Sequence, residues 1–206
     1  CPMDKLPCLR RQRVDSMSRM TDTQTLFSLV GYNKNNTRDP HDFYATPDWA
    51  TQKLLDYEKF TGSILEPFCG QGHICRVLQR NNYGYVAKDL IDRGFDQLTK
   101  EQNFFDETEQ FDNIISNPPY TNAVKYVRHA LDLSRKKTAM IMRLAFLEGV
   151  ERRKLFDKCP PARVLVFTKR VTMWKAGIEP SGSGAMAFAW FVWDRDYTGP
   201  TTVGWL

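Results

Sequence analysis

From about residue 42 onward, short apolar runs alternate with amphipathic stretches along this chain. In "TPDWATQKLLDYEKF", Trp49, Leu54, Leu55 and Tyr57 stand at near-helical spacing. They follow Thr46, which can cap, and Pro47, which suits a first helical turn, so the spacing predicts a helix. Ile64 and Leu65 then form a short apolar strand, Gly70 and Gly72 mark a tight loop, and His73 to Arg80 continues as a helix. "YGYVAKDL" predicts a second strand ending at Asp89, and "FDNIIS" a later one running up to Asn117. Beyond it come helix-like "TNAVKYVRHALDLSR", strand-like "TAMIMRLAF", helix-like "EGVERRKLFDK" and strand-like "RVLVF". This alternation predicts an α/β fold, an open and mainly parallel twisted sheet with helices on both faces. The last two strand candidates, "FTKRVTMW" and "GAMAFAWFVWD", are separated only by the loop "KAGIEPSGSG", which predicts a C-terminal antiparallel hairpin. Residues 1–41 show no sustained period, mix Arg10, Arg11 and Arg13 with "NKNNTRDP", and read as a polar extension with one short helix around Thr23 to Val30.

Composition narrows the class. The 206 residues, 42% hydrophobic and 26% charged, are enough for one domain with a full core. Cys1, Cys8, Cys69, Cys75 and Cys159 are odd in number and form no Cys-x-x-Cys pair, so neither a disulfide framework nor a zinc site is expected. No apolar stretch approaches the ~20 residues of a membrane span and no signal-peptide centre is visible, which leads us to expect a reduced, cytoplasmic setting with no membrane partner. The chain opens on Cys1, which leaves the start open between Met3, Met17, Met20 and a position upstream of Cys1. Net charge is a mild +5, but residues 121–206 hold 15 Lys/Arg against 7 Asp/Glu. A basic half of this kind raises the local concentration of polyanions such as nucleic acid, although scattered charge also serves simply as a solvated face.

In open α/β sheets, ligands bind beyond the carboxyl ends of the strands where strand order reverses. Three segments fall at such ends: Glu66 to Gly72, Asp89, and "SNPPY" at 116–120. Glycines allow close approach of a backbone to a ligand, and a carboxylate at the second strand's tip can accept hydrogen bonds from both ribose hydroxyls. The loop "CGQGHIC" lacks the third glycine of Gly-x-Gly-x-x-Gly, which favours a nucleoside ligand without pyrophosphate over NAD or FAD. His41, His73 and His129 are read as structural or solvent-exposed.

Taken together, "DFYATP" (42–47), "ILEPFCGQGHI" (64–74), "AKDLIDRG" (87–94) and "FDNIISNPPY" (111–120) resemble the class I S-adenosylmethionine-dependent methyltransferases. Within them the likeness is to the amino-methyltransferases that act on adenine N6, and "EPFCGQG" with "NPPY" looks especially like the DNA adenine methylases of bacteria and their phages. The resemblance covers residues 42–206, the expected catalytic domain, and implies the Rossmann-like fold of that class. It implies that Glu66, Phe68, Gly70 and Gly72 line the methionine and ribose part of the cofactor site, that Asp89 binds the ribose hydroxyls, and that Leu90 packs on the cofactor adenine. Tyr44, Thr46 and Pro47 match the segment that closes over the cofactor. Where the family has an Asp before an aromatic, this chain reads Asn103-Phe104.

The resemblance also explains "SNPPY" in physical terms. An exocyclic amino nitrogen is a poor nucleophile because its lone pair is delocalised into the ring. Acceptance of one amino hydrogen by the Asn117 side-chain oxygen and of the other by the Pro118 carbonyl pushes that nitrogen toward tetrahedral geometry. Pro118 and Pro119 hold the segment rigid, and Tyr120 supplies an aromatic face for a base rotated out of its duplex. The proton lost after methylation is already acidic, so no tuned general base is required. The expected activity is methyl transfer to adenine N6 in DNA. RNA adenine, a protein glutamine amide and a catalytically silent nucleic-acid-binding subunit stay open. Only 44 residues lie between Gly72 and Asn117 and 86 follow Tyr120, so no separate recognition domain is expected, and with it a short or loose target consensus.

Overall fold

Alternate residues along the apolar strands serve opposite faces of a sheet, and each face is covered by helices. The computed structural model describes residues 43–175, 177, 178, 184 and 186–206. The polar extension, its expected helix and most of the 175–184 loop lie outside the described residues. In chain order the elements are β1 (Tyr44–Ala45), α1 (Asp48–Tyr57), β2 (Ile64–Glu66), α2 (His73–Arg80), β3 (Val86–Asp89), β4 (Lys100–Glu101) and β5 (Phe111–Ser116). They continue with α3 (Ala123–Leu133), β6 (Ser134–Arg143), α4 (Val150–Lys158), β7 (Arg163–Val166), β8 (Trp174–Lys175), β9 (Phe188–Asp194) and β10 (Thr202–Trp205).

Eight strands form one sheet in the order β10, β7, β9, β6, β5, β2, β3, β4. Every neighbouring pair is parallel except those made by β9, which runs antiparallel to both β6 and β7. The chain builds outward in one direction from β2 through β3 to β4, and in the other through β5 to β6. The reversal between β2 and β5 is where such sheets bind ligands.

Period-2 alternation distributes the core. Ile64, Ile115, Ile141, Leu165 and Trp190 pack with Ala50 and Leu54 of α1 and Ile74, Val77 and Leu78 of α2. Their neighbours Leu65, Ile114, Met140, Val164 and Phe191 pack on the other face with Val127 and Ala130 of α3 and Leu155 of α4. Each large side chain so buried contributes about 1.5–3 kcal/mol relative to exposure. The Trp190 indole Nε1 also donates to the Ala50 carbonyl at 2.9 Å, fixing α1 over the sheet.

The expected hairpin takes a different form. β9 is antiparallel, but its partners are β6 and β7 rather than residues 167–174. Its first six residues are buried on both faces, which suits an interior strand, whereas Thr168, Lys169 and Arg170 are exposed and could not flank it. Of that stretch only Trp174 is in a strand, Trp174–Lys175, which pairs with Tyr44–Ala45 in a separate two-stranded unit. The "TAMIMRLAF" strand begins earlier, at Ser134, and ends at Arg143, where Leu144–Leu147 turns into a 3₁₀ helix.

Candidate active site

The carboxyl ends of β2, β3 and β5 open onto a cleft with a cavity volume of about 330 Å³, within the ~300–1,000 Å³ of small-molecule sites. Its floor is set by the turn after β2. Gly70 has φ +54° and Gly72 φ +81°, in the left-handed region that favours glycine. Both glycines are also approached closely by aromatic rings. A Cβ on Gly70 would lie 2.2 Å from Phe43, and one on Gly72 2.2 Å from Phe95.

Asp89 ties this turn to the tip of β3. Its Oδ2 accepts from the Gly70 N–H at 2.7 Å and its Oδ1 from Ile91 N–H at 3.1 Å. A carboxylate can accept about four hydrogen bonds, so capacity for a ligand remains on this residue, which lines the cleft. Glu66, by contrast, is fully buried behind the wall. Its Oε1 accepts from Ser116 Oγ at 2.7 Å and from Phe68 N–H at 3.0 Å, joining the tips of β2 and β5, while Oε2 has no partner. Burial pushes its carboxyl up to about 8, against the opposing pull of those two hydrogen bonds, with the Asp89 charge adding to the rise.

At the tip of β5, the Asn117 amide donates from Nδ2 to the Tyr44 carbonyl at 2.7 Å. Its Oδ1 is buried without a hydrogen-bond partner, as is Thr46 Oγ1 on the same cleft. Unsatisfied buried acceptors are uncommon and cost about 1–3 kcal/mol each, so two on one cleft wall mark a place where a ligand completes the bonding. The Tyr120 ring stacks on Tyr44 with centroids 5.9 Å apart, rests on Phe188 and carries the Arg143 guanidinium 4.8 Å from its centroid.

An aromatic wall closes the far side. Phe68 meets Phe104 and Tyr126 edge-on at 5.1 and 4.9 Å. Asn103 caps the short turn Phe104–Asp106, its Oδ1 accepting from Phe105 N–H at 3.1 Å. The departure from Asp at this position therefore keeps a local cap.

Of the residues expected at the site, Tyr44, Thr46, Phe68, Asp89, Leu90, Asn103, Phe104, Asn117 and Pro119 line the cleft. Pro47, Glu66, Gly70, Gly72, Pro118 and Tyr120 do not contribute to its wall. Glu66 and the glycines act from behind by shaping the loop, and Tyr120 sits among Tyr44, Phe188 and Arg143. Residues the sequence did not single out also line it: Phe43, Arg93, Tyr126 and the left-handed Asn122. Tyr126 sits at helical spacing in α3 and reads as core. Phe43 and Arg93 stand inside "DFYATP" and "AKDLIDRG", and Arg93 packs over the Phe43 ring at 4.4 Å. His73, read as structural or exposed, is on the cleft wall against Trp174. Burial, and then the nearby Arg76 charge, lower its basicity. Cys69 and Cys75 are buried, and burial pushes both thiols up, which leaves them as packing groups.

No protein-family model and no curated protein matches the sequence. Solved structures do match in shape. A proposed RNA methyltransferase from Pyrococcus horikoshii aligns at 13% identity and TM-score 0.58 over 85% of this chain and 98% of its own. Magnesium protoporphyrin IX methyltransferase from Synechocystis PCC 6803, crystallised with bound SAM, aligns at 12% identity and TM-score 0.53 over 72% of this chain and 79% of its own. A modification subunit of a proposed type I restriction enzyme from Vibrio vulnificus YJ016 aligns at 14% identity and TM-score 0.53, over 90% of this chain and 51% of its own. At such identities the likeness establishes the fold alone, a Rossmann-like α/β sheet.

Proposed function

We propose that this chain, which has the class I methyltransferase fold, transfers a methyl group from S-adenosylmethionine to the exocyclic N6 of adenine in DNA. The observation that carries this reading is the Asn117 amide, whose nitrogen is committed to the Tyr44 carbonyl while its buried oxygen has no partner. An amino group is the ligand chemistry that this oxygen would accept; the second acceptor that the resemblance implies, the Pro118 carbonyl, requires a turn of the segment toward the ligand, since Pro118 does not contribute to the cleft wall.

The residues present fit the cofactor. Asp89 offers acceptors suited to vicinal hydroxyls, Leu90 and Phe104 offer apolar surface suited to a purine, and Thr46 Oγ1 awaits a partner. The cofactor supplies the methyl group as an electrophile on a sulfonium. Everything else falls to the chain: Asn117, joined by the Pro118 carbonyl once that is turned to the ligand, draws on the amino hydrogens so that the nitrogen lone pair is freed, and Phe68, Phe104 and Tyr126 offer an apolar wall. Burial and the Arg76 charge lower the basicity of His73, which favours its neutral form on the cleft wall.

The surplus of basic residues after residue 120 favours nucleic acid over a peptide, and the likeness of "EPFCGQG" with "NPPY" to the DNA adenine methylases supports DNA over RNA. The structural neighbours named above as an RNA methyltransferase and a restriction-enzyme modification subunit support nucleic acid as the substrate class. Between Gly72 and Asn117 and after Tyr120, the described residues are taken up by the sheet, its helices and their connections, so base reading by this segment rests on loops. A short or loose consensus for this segment is part of the proposal. The test is incubation with labelled S-adenosylmethionine and, separately, DNA, RNA and a glutamine-containing peptide, with mass spectrometry of the digests. We expect N6-methyladenine in the DNA digest, and label confined to RNA or peptide would overturn the DNA assignment.

A further inference from the structure

The two edges of the sheet treat their basic residues differently. At the edge remote from the cleft, Lys137 at the start of β6 pairs with Glu58 and Asp194, and Arg163 at the start of β7 pairs with the same two carboxylates. Arg135 and Lys136 pair with Asp112. At the cleft edge the same two strands end in Arg143 and, after β7, in exposed Lys169 and Arg170. Among the described residues these three form no ion pair and no side-chain hydrogen bond. Arg143 Nε is buried without a partner, its guanidinium lying over the face of Tyr120, and Lys169 lies over Trp49 at 5.6 Å. A guanidinium without an ion pair beside the cleft has donors left for an anion.

These groups are contiguous with the cleft. Tyr120 follows cleft-lining Pro119 and packs against Phe188, and Phe188 is the register partner of Arg143 across β6 and β9. Phe188 in turn lines a second cavity of about 240 Å³ with Phe167, Lys169 and Arg170. A path therefore runs from the Asn117 oxygen over Tyr120 and Arg143 into a concavity with two cations and aromatic surface.

We propose that Arg143, Lys169 and Arg170 form the track that holds the DNA backbone, with Arg143 on a phosphate beside the target adenine and the 167–170 concavity taking a flanking nucleotide. This rests on the methyltransferase reading for the identity of the target base. It adds that affinity for the polyanion comes from the carboxyl edge of β6 and β7. Binding of phosphate by such cations releases counterions, and each contact contributes about 0.9 to the slope of log affinity against log salt on duplex DNA.

The experiment measures binding of a fluorescein-labelled DNA duplex to the full chain by anisotropy, over about 50 to 200 mM KCl. It compares wild type, Arg143→Ala, the double variant Lys169→Ala/Arg170→Ala, and Lys136→Ala at the opposite edge as control. Thermal unfolding followed by circular dichroism checks that each variant is folded. The slope should fall by about one for Arg143→Ala and by about two for the double variant, and stay unchanged for Lys136→Ala. If Arg143→Ala fails to fold, the double variant decides alone, since its side chains are exposed. Slopes equal to wild type in the folded variants would overturn the track, while N6-methyladenine still forming would leave the methyltransferase reading intact. Wild type that binds DNA with the expected slope changes in its variants but transfers no methyl group would overturn that reading and leave the track. Wild type that binds no DNA overturns both.

Discussion

Asn117 Nδ2 donates to the Tyr44 carbonyl at 2.7 Å, so the tip of β5 is latched to the short β1 strand by the same amide whose oxygen is left unpartnered. The latch decides which end of the amide is which, because turning it over would set two oxygens against each other. Orientation of the acceptor is therefore built in before any ligand arrives, which is the preorganisation that electrostatic stabilisation requires.

Replacing Asn117 with Ala removes that acceptor and should lower the rate of methyl transfer by a factor on the order of 10² or more, with S-adenosylmethionine affinity retained. Asn117→Asp keeps an oxygen but cannot donate to Tyr44, so it should also be slow. Single-turnover kinetics checks both. Near-normal turnover in Asn117→Ala would remove the basis for the proposed activation.

Asp89 carries two loads, the ligand's hydroxyls by proposal and the Gly70 N–H by observation. Asp89→Ala should raise the dissociation constant for S-adenosylmethionine about 10- to 150-fold, corresponding to charged hydrogen bonds worth about 1.5–3 kcal/mol. The melting temperature should fall as well, since the Gly70 donor becomes unpaired. Calorimetric titration and a thermal melt separate the two effects, and an unchanged affinity would count against Asp89 as the hydroxyl acceptor.

Glu66 gives a pH prediction with a definite sign. Burial raises its carboxyl from 4.5 in the unfolded chain to about 8 in the folded one. Between those values the folded state holds a proton that the unfolded state has lost, so rising pH costs stability, about 1.4 kcal/mol per pH step from this group alone. The contribution is fully present below pH 4.5 and is lost as pH rises through about 8. Glu66→Gln stays neutral throughout. Chemical denaturation of both proteins at pH 5 and pH 8 should show the difference in stability moving against wild type at the higher pH, and a constant difference would refute the assignment.

The alternation of apolar strands with amphipathic helices was readable because β2, β9 and the central parts of β5, β6 and β7 are buried on both faces and so appear as short apolar runs. β10 was not, since Thr202–Trp205 is an edge strand that leaves most of its residues exposed and carries no apolar period. Partner choice for β9 was also hidden, because sequence adjacency favours the nearest apolar stretch, whereas burial on two faces demands an interior place between β6 and β7. At the site, the motif residues on strand tips were legible. Motifs could not distinguish cleft wall from support, and Glu66 and Tyr120 differ from Asp89 and Asn117 only in which way the packed backbone turns them. Tyr126 was masked by helical periodicity, which assigns an apolar position to the core whether or not a cleft opens beside it.

Gly70 tests how tightly the loop is specified. Its φ of +54° disfavours any side chain, and a Cβ would meet the Phe43 ring at 2.2 Å. Gly70→Ala should cost about 1–3 kcal/mol from backbone strain, with further loss from displacement of Phe43 out of the cleft wall. Gly84 offers the contrast, since a Cβ there would meet no atom within 4 Å and its φ is not positive, so Gly84→Ala should be neutral or slightly stabilising. Urea denaturation of the two variants measures the difference directly, and equal stabilities would show that the loop accommodates a side chain.

Tyr120 poses a geometric problem that leads to the last expectation. Its ring is stacked on Tyr44 with centroids 5.9 Å apart, is covered by Arg143 and rests on Phe188. A base sandwiched between two rings needs roughly twice the ~3.5 Å contact distance of close-packed carbons, about 7 Å between the outer planes. The Tyr44 and Tyr120 rings must therefore part for a base to enter between them, or the base must take the place of Arg143, whose guanidinium would then turn to a phosphate. Either way the aromatic face has to survive for stacking, worth about 1–3 kcal/mol per base. Tyr120→Phe should keep the Michaelis constant for DNA near wild type, and Tyr120→Ala should raise it about 5- to 150-fold with S-adenosylmethionine affinity unchanged. Steady-state kinetics with DNA as the varied substrate measures this. A Tyr120→Ala enzyme with an unaltered Michaelis constant would mean that the target base stacks elsewhere on the cleft, with Phe68, Phe104 and Tyr126 the remaining aromatic surface.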